Sequence, residues 1–173
     1  MKTTARSPAD SLSPGRPLTL ANVAEGAEGL VASDLARAIK AKAGRQASAV
    51  SLAVVCRDGP RMQQLARALE FFAPDISVMQ FPAWDCQPYD RVSPHGGVLA
   101  QRLTTLARLS RLAGSEAPLI LLTTINAIVQ RVPAREIVAS QALSVAPGHV
   151  VPMDSIVAWL EHNGYNRSST VRE

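Results

Sequence analysis

The chain has 173 residues, of which 47% are hydrophobic and only 4% aromatic, and its formal net charge is +4. This length supports one full domain with room for part of a second, around a core built from Ala, Val, Leu and Ile rather than from rings. No run of about eighteen apolar residues occurs and the N-terminus lacks a secretory-type apolar stretch, so a membrane span is excluded and the chain reads as cytoplasmic.

Residues 1–17 are rich in Ser, Pro and Ala and cannot bury enough apolar surface to order themselves, which predicts a disordered tail. Leu30, Val31, Leu35, Ala38 and Ile39 fall at helical spacing over 29–43, and Gly44 stands where that helix should end. Ala49 to Cys56 is a continuous run of small and β-branched residues, the pattern of a strand covered on both faces. Asp58 then offers an N-cap and Pro60 an early helical position for a helix whose stripe is Met62, Leu65, Ala66, Leu69 and Phe72. Ala73-Pro74 stops it, and Ile76 to Phe81 reads as a second strand.

The next segment, Phe81 to His95, carries prolines at 82, 88 and 94, each of which restricts φ and removes a donor, so it must be a stiff loop. Trp84 and Tyr89 are large bodies with polar tips, and in such a loop they suit packing against a neighbouring domain or partner. Whether the Trp84 ring is already buried or awaits that partner is open at this level. Ser93-Pro94 resembles a cap followed by a first-turn proline, opening a helix to about Ala113 with Leu99, Leu103, Leu106, Leu109 and Leu112 on its apolar side. Arg102, Arg108 and Arg111 spread over other positions and read as a solvated face.

Pro118 to Thr123 is a third buried-type strand, followed by a short helix from Thr124 to Val132 that ends at Pro133. Beyond it, Ala142 to Ala146 and His149 to Val151 look like short strands about a Pro147-Gly148 turn. Asp154 suits a cap for a helix through Asn163, Gly164 its end, and Tyr165 to Glu173 the start of another strand. Strand and helix alternate, so the expected class is α/β with a mostly parallel sheet over 18–141, then the start of a smaller α/β unit over 142–173.

A parallel sheet directs the search for chemistry to the turn Glu25-Gly-Ala-Glu-Gly-Leu-Val-Ala-Ser33. A phosphate cradle needs backbone donors, a lysine for the outer oxygens, and Ser or Thr for magnesium. Here Gly26, Gly29 and Ser33 stand in that arrangement without the lysine, and Glu25 and Glu28 would repel phosphate, so no nucleotide, metal or other cofactor is expected. Cys86 and His95, with Asp85 close by, form the rival constellation, a nucleophile and base of a small α/β hydrolase or nucleotide-dependent enzyme; a buried thiol and a surface or capping histidine is the plainer reading. Cys56 reads as a buried thiol, and His149 and His162 lack metal-ligand spacing. Fifteen of the 18 cationic side chains are arginines, yet no aromatics interleave with them and no nucleic-acid-binding signature accompanies them.

The loop Phe81-Pro-Ala-Trp-Asp-Cys-Gln-Pro-Tyr-Asp-Arg-Val-Ser-Pro-His95 and the following Arg102-Leu-Thr-Thr-Leu-Ala-Arg-Leu109 closely resemble the N-terminal module of bacterial transcription-repair coupling factors. The resemblance continues through Leu122-Thr-Thr-Ile-Asn-Ala-Ile-Val-Gln-Arg-Val-Pro133 and from Gly164-Tyr165 to Val171-Arg-Glu173. It implies a UvrB-like, degenerate P-loop-NTPase-type domain that has lost its ATP site, followed by the start of a UvrA-recruiting domain. It further implies a non-catalytic binding and autoinhibitory module of a DNA translocase whose ATPase lies elsewhere. RNA polymerase and DNA would be partners only through the whole protein. Most of the UvrA-contacting surface is implied to lie beyond Glu173, leaving Arg167 and Arg172 as its neighbours.

Overall fold

The computed structural model describes residues 8–43, 50–87, 91–112 and 117–168. By its internal contacts the chain divides into two units, Met1–Val132 and Pro133–Glu173.

The first unit is α/β. Its elements are α1 (Glu28–Ala43), β1 (Leu52–Cys56), α2 (Gly59–Phe72), β2 (Ser77–Phe81), α3 (Gly96–Arg111), β3 (Leu119–Thr124) and the single turn α4 (Ile125–Ile128). The strands form a parallel sheet in the order β1-β3-β2, with Leu52 opposite Ile120 and Ser77 opposite Leu119. The chain therefore steps over the central position from β1 to β2 and returns to fill it with β3. Because right-handed crossovers are the rule, a forward and a backward step put α2 and α3 on opposite faces.

Alternation along the strands settles what each face buries. Leu52, Val54, Cys56, Ile76, Val78, Ile120 and Leu122 join Met62, Leu65 and Leu69 of α2 and Ala32 and Ala36 of α1 in one core. On the other face Met79 and Phe81 are buried on the side that α3 covers, whereas Val55 of β1 is exposed.

Helix α1 uses a different face from the one its large apolar residues suggest. Leu30 is exposed, while Ala32, Ser33 and Ala36 are buried. The reason is close packing on α2, where a Cβ placed on Gly29 would stand 2.9 Å from the Cβ of Ala68. Small residues at 29, 32, 33 and 36 let the helices approach, so size and not hydrophobicity selected the buried stripe. Arg37 then clamps α1 to the loop before β2 through Asp75, at 2.7 Å and 3.3 Å.

Helix α2 starts as its sequence predicts, with Asp58 as N-cap accepting from the Arg61 N–H at 2.9 Å and Pro60 in the first turn. Helix α3 does not. Its cap is His95, two residues after the expected Ser93, and His95 Nδ1 accepts from the Gly97 N–H at 3.2 Å. The Asp85 carboxylate accepts the His95 N–H at 3.2 Å, so a contact ten residues back helps set the start of the helix.

Within the expected tail, Pro8–Ser11 forms a 3-10 turn with Ala9 buried, and Lys42 Nζ donates to the Ala9 carbonyl at 2.6 Å. The helix expected through Val132 is shorter, ending at Ile128, with Thr124 as its cap.

The second unit's described residues contain α5 (Arg135–Gln141) and α6 (Met153–His162). Helix α5 occupies a stretch for which the sequence pattern predicts no element, and the strands expected at 142–146 and 149–151 do not form. Extended segments become strands only when a ladder partner satisfies their backbone, and Pro147 and Pro152 each remove a donor. Helix α6 begins after Pro152 with no side-chain cap, Asp154 lying in its first turn instead. It ends as predicted at Gly164, which has φ of +85°; the Tyr165 N–H reaches the Leu160 carbonyl at 3.0 Å and the Gly164 N–H the Glu161 carbonyl at 3.1 Å.

Candidate interaction site

Two features sit near the carboxyl ends of the strands, the region where open parallel sheets place their ligands. The first is the turn before α1, beside a cleft of about 1000 Å³ that also meets the end of β1 and the start of α2. The Gly26 N–H, a donor that an anion cradle would require, is given to the Glu28 carboxylate at 2.9 Å. Arg61 pairs with the other oxygen of the same carboxylate. Glu28 is accordingly held below its usual pKa, first by its own backbone N–H and then by Arg61 and Gly26, partly opposed by desolvation.

The other residues of the pattern have structural partners. Gly29 is inside α1 at its crossing with α2. Ser33 is fully buried, its hydroxyl donating to the Leu30 carbonyl at 2.8 Å, with Arg37 reaching its oxygen at 3.4 Å. Around the cleft Arg57, Arg61 and Arg67 are matched by Glu25, Glu28 and Asp58, and Arg57 pairs with Asp58 at 2.9 Å. Such a balanced rim concentrates no field on a polyphosphate. Cys56, in the same cleft, is pushed up in pKa chiefly by burial, which disfavours the thiolate.

The second feature is the root of the proline loop. Arg102, expected in solvent, is 1% exposed. Its guanidinium carbon lies 4.1 Å from the centre of the Phe81 ring and 4.3 Å from that of Trp84. Nη1 donates to the Pro82 carbonyl and to Gln130 Oε1 at 3.0 Å, and that oxygen also accepts the Trp84 backbone N–H at 3.3 Å. No carboxylate pairs with Arg102 among the described residues, its Nε lacks a hydrogen-bond partner, and burial lowers its pKa. Ring faces and carbonyl oxygens thus supply the negative potential that a counter-ion would ordinarily give.

Periodicity could not find this residue. Arg102 and Thr105, three apart, are the buried positions of α3, while Leu99 and Leu103 are exposed. Thr105 Oγ1 donates to the Gln80 carbonyl at 2.7 Å, so polar side chains face the edge of β2 because carbonyls there need donors. The signal that was available is the position of an arginine seven residues, two helical turns, after His95 at the end of a loop rich in prolines and aromatics.

Trp84 is half-buried against Arg102 within its own unit; Tyr89 lies outside the described residues. Cys86 lies in a cleft of about 440 Å³ with Trp84, Asn126 and Gln130. No hydrogen bond joins Cys86 to His95, whose Nδ1 is committed to capping α3. Arg167 is exposed after α6, outside any strand, and Arg172 lies beyond the described residues. Among the described residues no cluster of His, Cys, Asp and Glu could hold a metal, and no helix is long and apolar enough to cross a membrane.

No family model matches the chain. It is 29% identical over 99 residues, 57% of its length, to the transcription-repair-coupling factor of Escherichia coli. It is 27% identical over 174 aligned residues, spanning the whole chain, to the protein of the same name from Haemophilus influenzae. These stretches are 8% and 14% of the two relatives, so the chain spans a small part of their length.

Proposed function

Proceeding from this kinship with transcription-repair-coupling factors, we propose that the chain is a non-catalytic protein-binding module of such a factor. It helps recruit UvrA where RNA polymerase has stalled and restrains the remaining domains until they are needed. DNA and polymerase are reached through those other domains, and ATP is hydrolysed there.

The observation that carries the non-catalytic part is the occupation of the phosphate turn by the chain's own groups. The Gly26 donor is spent on Glu28, and the Ser33 hydroxyl is held inside α1. A triphosphate would have to displace a carboxylate already neutralised by Arg61, with no lysine to reward it. In support of a binding role, the Trp84 loop is held at the sheet end by Arg102 and Gln130, a rigid aromatic presented on a stiff scaffold.

Two binding measurements test the reading. With magnesium and labelled ATP the chain should show no saturable binding, and binding at micromolar concentration would overturn the non-catalytic assignment. Immobilised chain should retain purified UvrA, and the Arg167→Glu variant should retain it less. Failure to retain UvrA under low and physiological salt would overturn the recruiting role.

A further inference from the structure

A groove of about 610 Å³ runs between α2 and β2, next to the cleft at the phosphate turn and sharing Arg67 with it. One wall is a single helical stripe of α2, comprising Gln63, Ala66, Arg67 and Glu70, spaced at i, i+3, i+4 and i+7. The other is the row that shares this face of the sheet, Ile76 just before β2 and Val78 and Gln80 within it. Its floor is apolar, since Ala66 and Val78 are partly buried against the core.

Strand β2 is an edge strand whose one ladder partner among the described residues is β3. The Ser77 N–H donates to the Pro118 carbonyl at 3.3 Å, toward β3. In a parallel ladder alternate residues turn their backbone groups to the same neighbour, so Met79 and Phe81 also face β3, and Val78 and Gln80 face outward. Thr105 takes the outward carbonyl of Gln80. Among the described residues the Val78 N–H, the Val78 carbonyl and the Gln80 N–H face away from β3 as a short open row beside the groove.

The geometry points to a peptide-docking site at which an extended segment of a partner polypeptide adds to the sheet along β2 and sets its side chains against α2. A strand is the occupant because the open row demands backbone donors and acceptors at strand spacing, which a helix has already consumed internally. Thr105 closes the row at Gln80, so the added strand is short, centred on Val78. Small walls at Ala66 and Val78 fit one aliphatic side chain pointing into the groove. Arg67 and Glu70 at the rim offer opposite charges, which favours a segment carrying an acidic and a basic residue on either side of the aliphatic one. This surface is separate from the Trp84 loop, and its fate does not depend on UvrA recruitment.

The test uses the full 173-residue chain and a synthetic octapeptide alternating valine with polar residues, one of them Glu and one Lys, followed by amide NMR. The Val78 and Gln80 amides should shift and become protected from exchange by roughly tenfold or more, with the Met79 amide unchanged, as expected of strand addition. Val78→Pro removes the outward donor without removing a ladder bond and should abolish binding, as should Ala66→Glu, which fills the groove from its α2 wall; Val78→Thr should retain it. Absence of binding at millimolar peptide, shifts located on β1, or binding indifferent to both disruptive variants in folded protein would each overturn the proposal. So would self-association of the chain that Val78→Pro abolishes, because the occupant would then be a second copy.

Discussion

The Arg102 guanidinium is stacked on the Trp84 ring at 4.3 Å, and both residues bond to the same atom, Gln130 Oε1. A cation buried with no carboxylate partner among the described residues is thereby turned into the fastening of a loop, its charge met by two ring faces and two carbonyl-type oxygens. The arrangement is sensitive to what replaces it. Arg102→Ala should cost about 3 kcal/mol by urea unfolding, since it empties a buried volume and leaves those oxygens without a donor. Arg102→Met, which refills the volume without the charge, should cost about 1 kcal/mol. Equal losses in the two variants would show that hydrogen bonding, not packing, dominates.

Trp84 and Arg102 should also be coupled. In a double-mutant cycle with Trp84→Leu and Arg102→Met the interaction energy should be about 1 kcal/mol, the scale of a desolvated cation–π contact. Additive single mutants would mean that the stacking contributes nothing beyond the area each residue buries.

Gly29 faces two opposing effects. Alanine is the better helix former by about 1 kcal/mol, but its Cβ would meet the Ala68 Cβ at 2.9 Å and backbone at 3.2 Å. Neither is the end of a flexible side chain, so overpacking should win and Gly29→Ala should lower stability by about 1 kcal/mol net. Combined with Ala68→Gly the two losses should be clearly less than additive. A stabilised Gly29→Ala variant would refute the close contact.

Acid should weaken the fold through three carboxylates. Asp58 is held below its usual pKa first by the Arg61 N–H, Asp75 first by the Arg37 side chain, and Glu28 first by its own N–H. A pKa lower in the folded than in the unfolded chain gives stabilisation that is complete above the unfolded value and lost as pH falls toward the folded one. Stability should therefore be level above about pH 5 and decline below about pH 4. Asp58→Asn, which keeps a capping oxygen, should flatten that decline; an unchanged profile would count against Asp58 as a contributor.

The thiols should differ in reactivity. Cys56 is buried and its pKa raised, whereas Cys86 is only half-buried. A maleimide at neutral pH should label Cys86 at least about tenfold faster than Cys56, and the difference should vanish in denaturant. His95→Ala should leave the Cys86 rate unchanged, because no hydrogen bond joins them; a slowed rate would revive a nucleophile and base at this loop.

How much of this was legible in residues follows from the range of each interaction. The three strands, the Asp58 cap with Pro60, the stop at Pro74 and the glycine end of α6 depend on dihedral preference, donor loss and apolar runs within a few positions. So does the lysine-free turn at Gly26. Those local energies are written in the chain itself, and with them the α/β class.

Tertiary structure decided the rest. That α1 buries its small side, that His95 and not Ser93 caps α3, and that Arg102 lies inside while Leu103 lies out are outcomes of partners 39, 10 and 28 positions away, at Ala68, Asp85 and Gln130. The same holds for Glu28, whose negative charge predicts repulsion of phosphate but whose occupation of the Gly26 donor needs Arg61 across the cleft. Unpaired carbonyls and close helix crossings exist only once the chain has folded back on itself, and no periodicity records them.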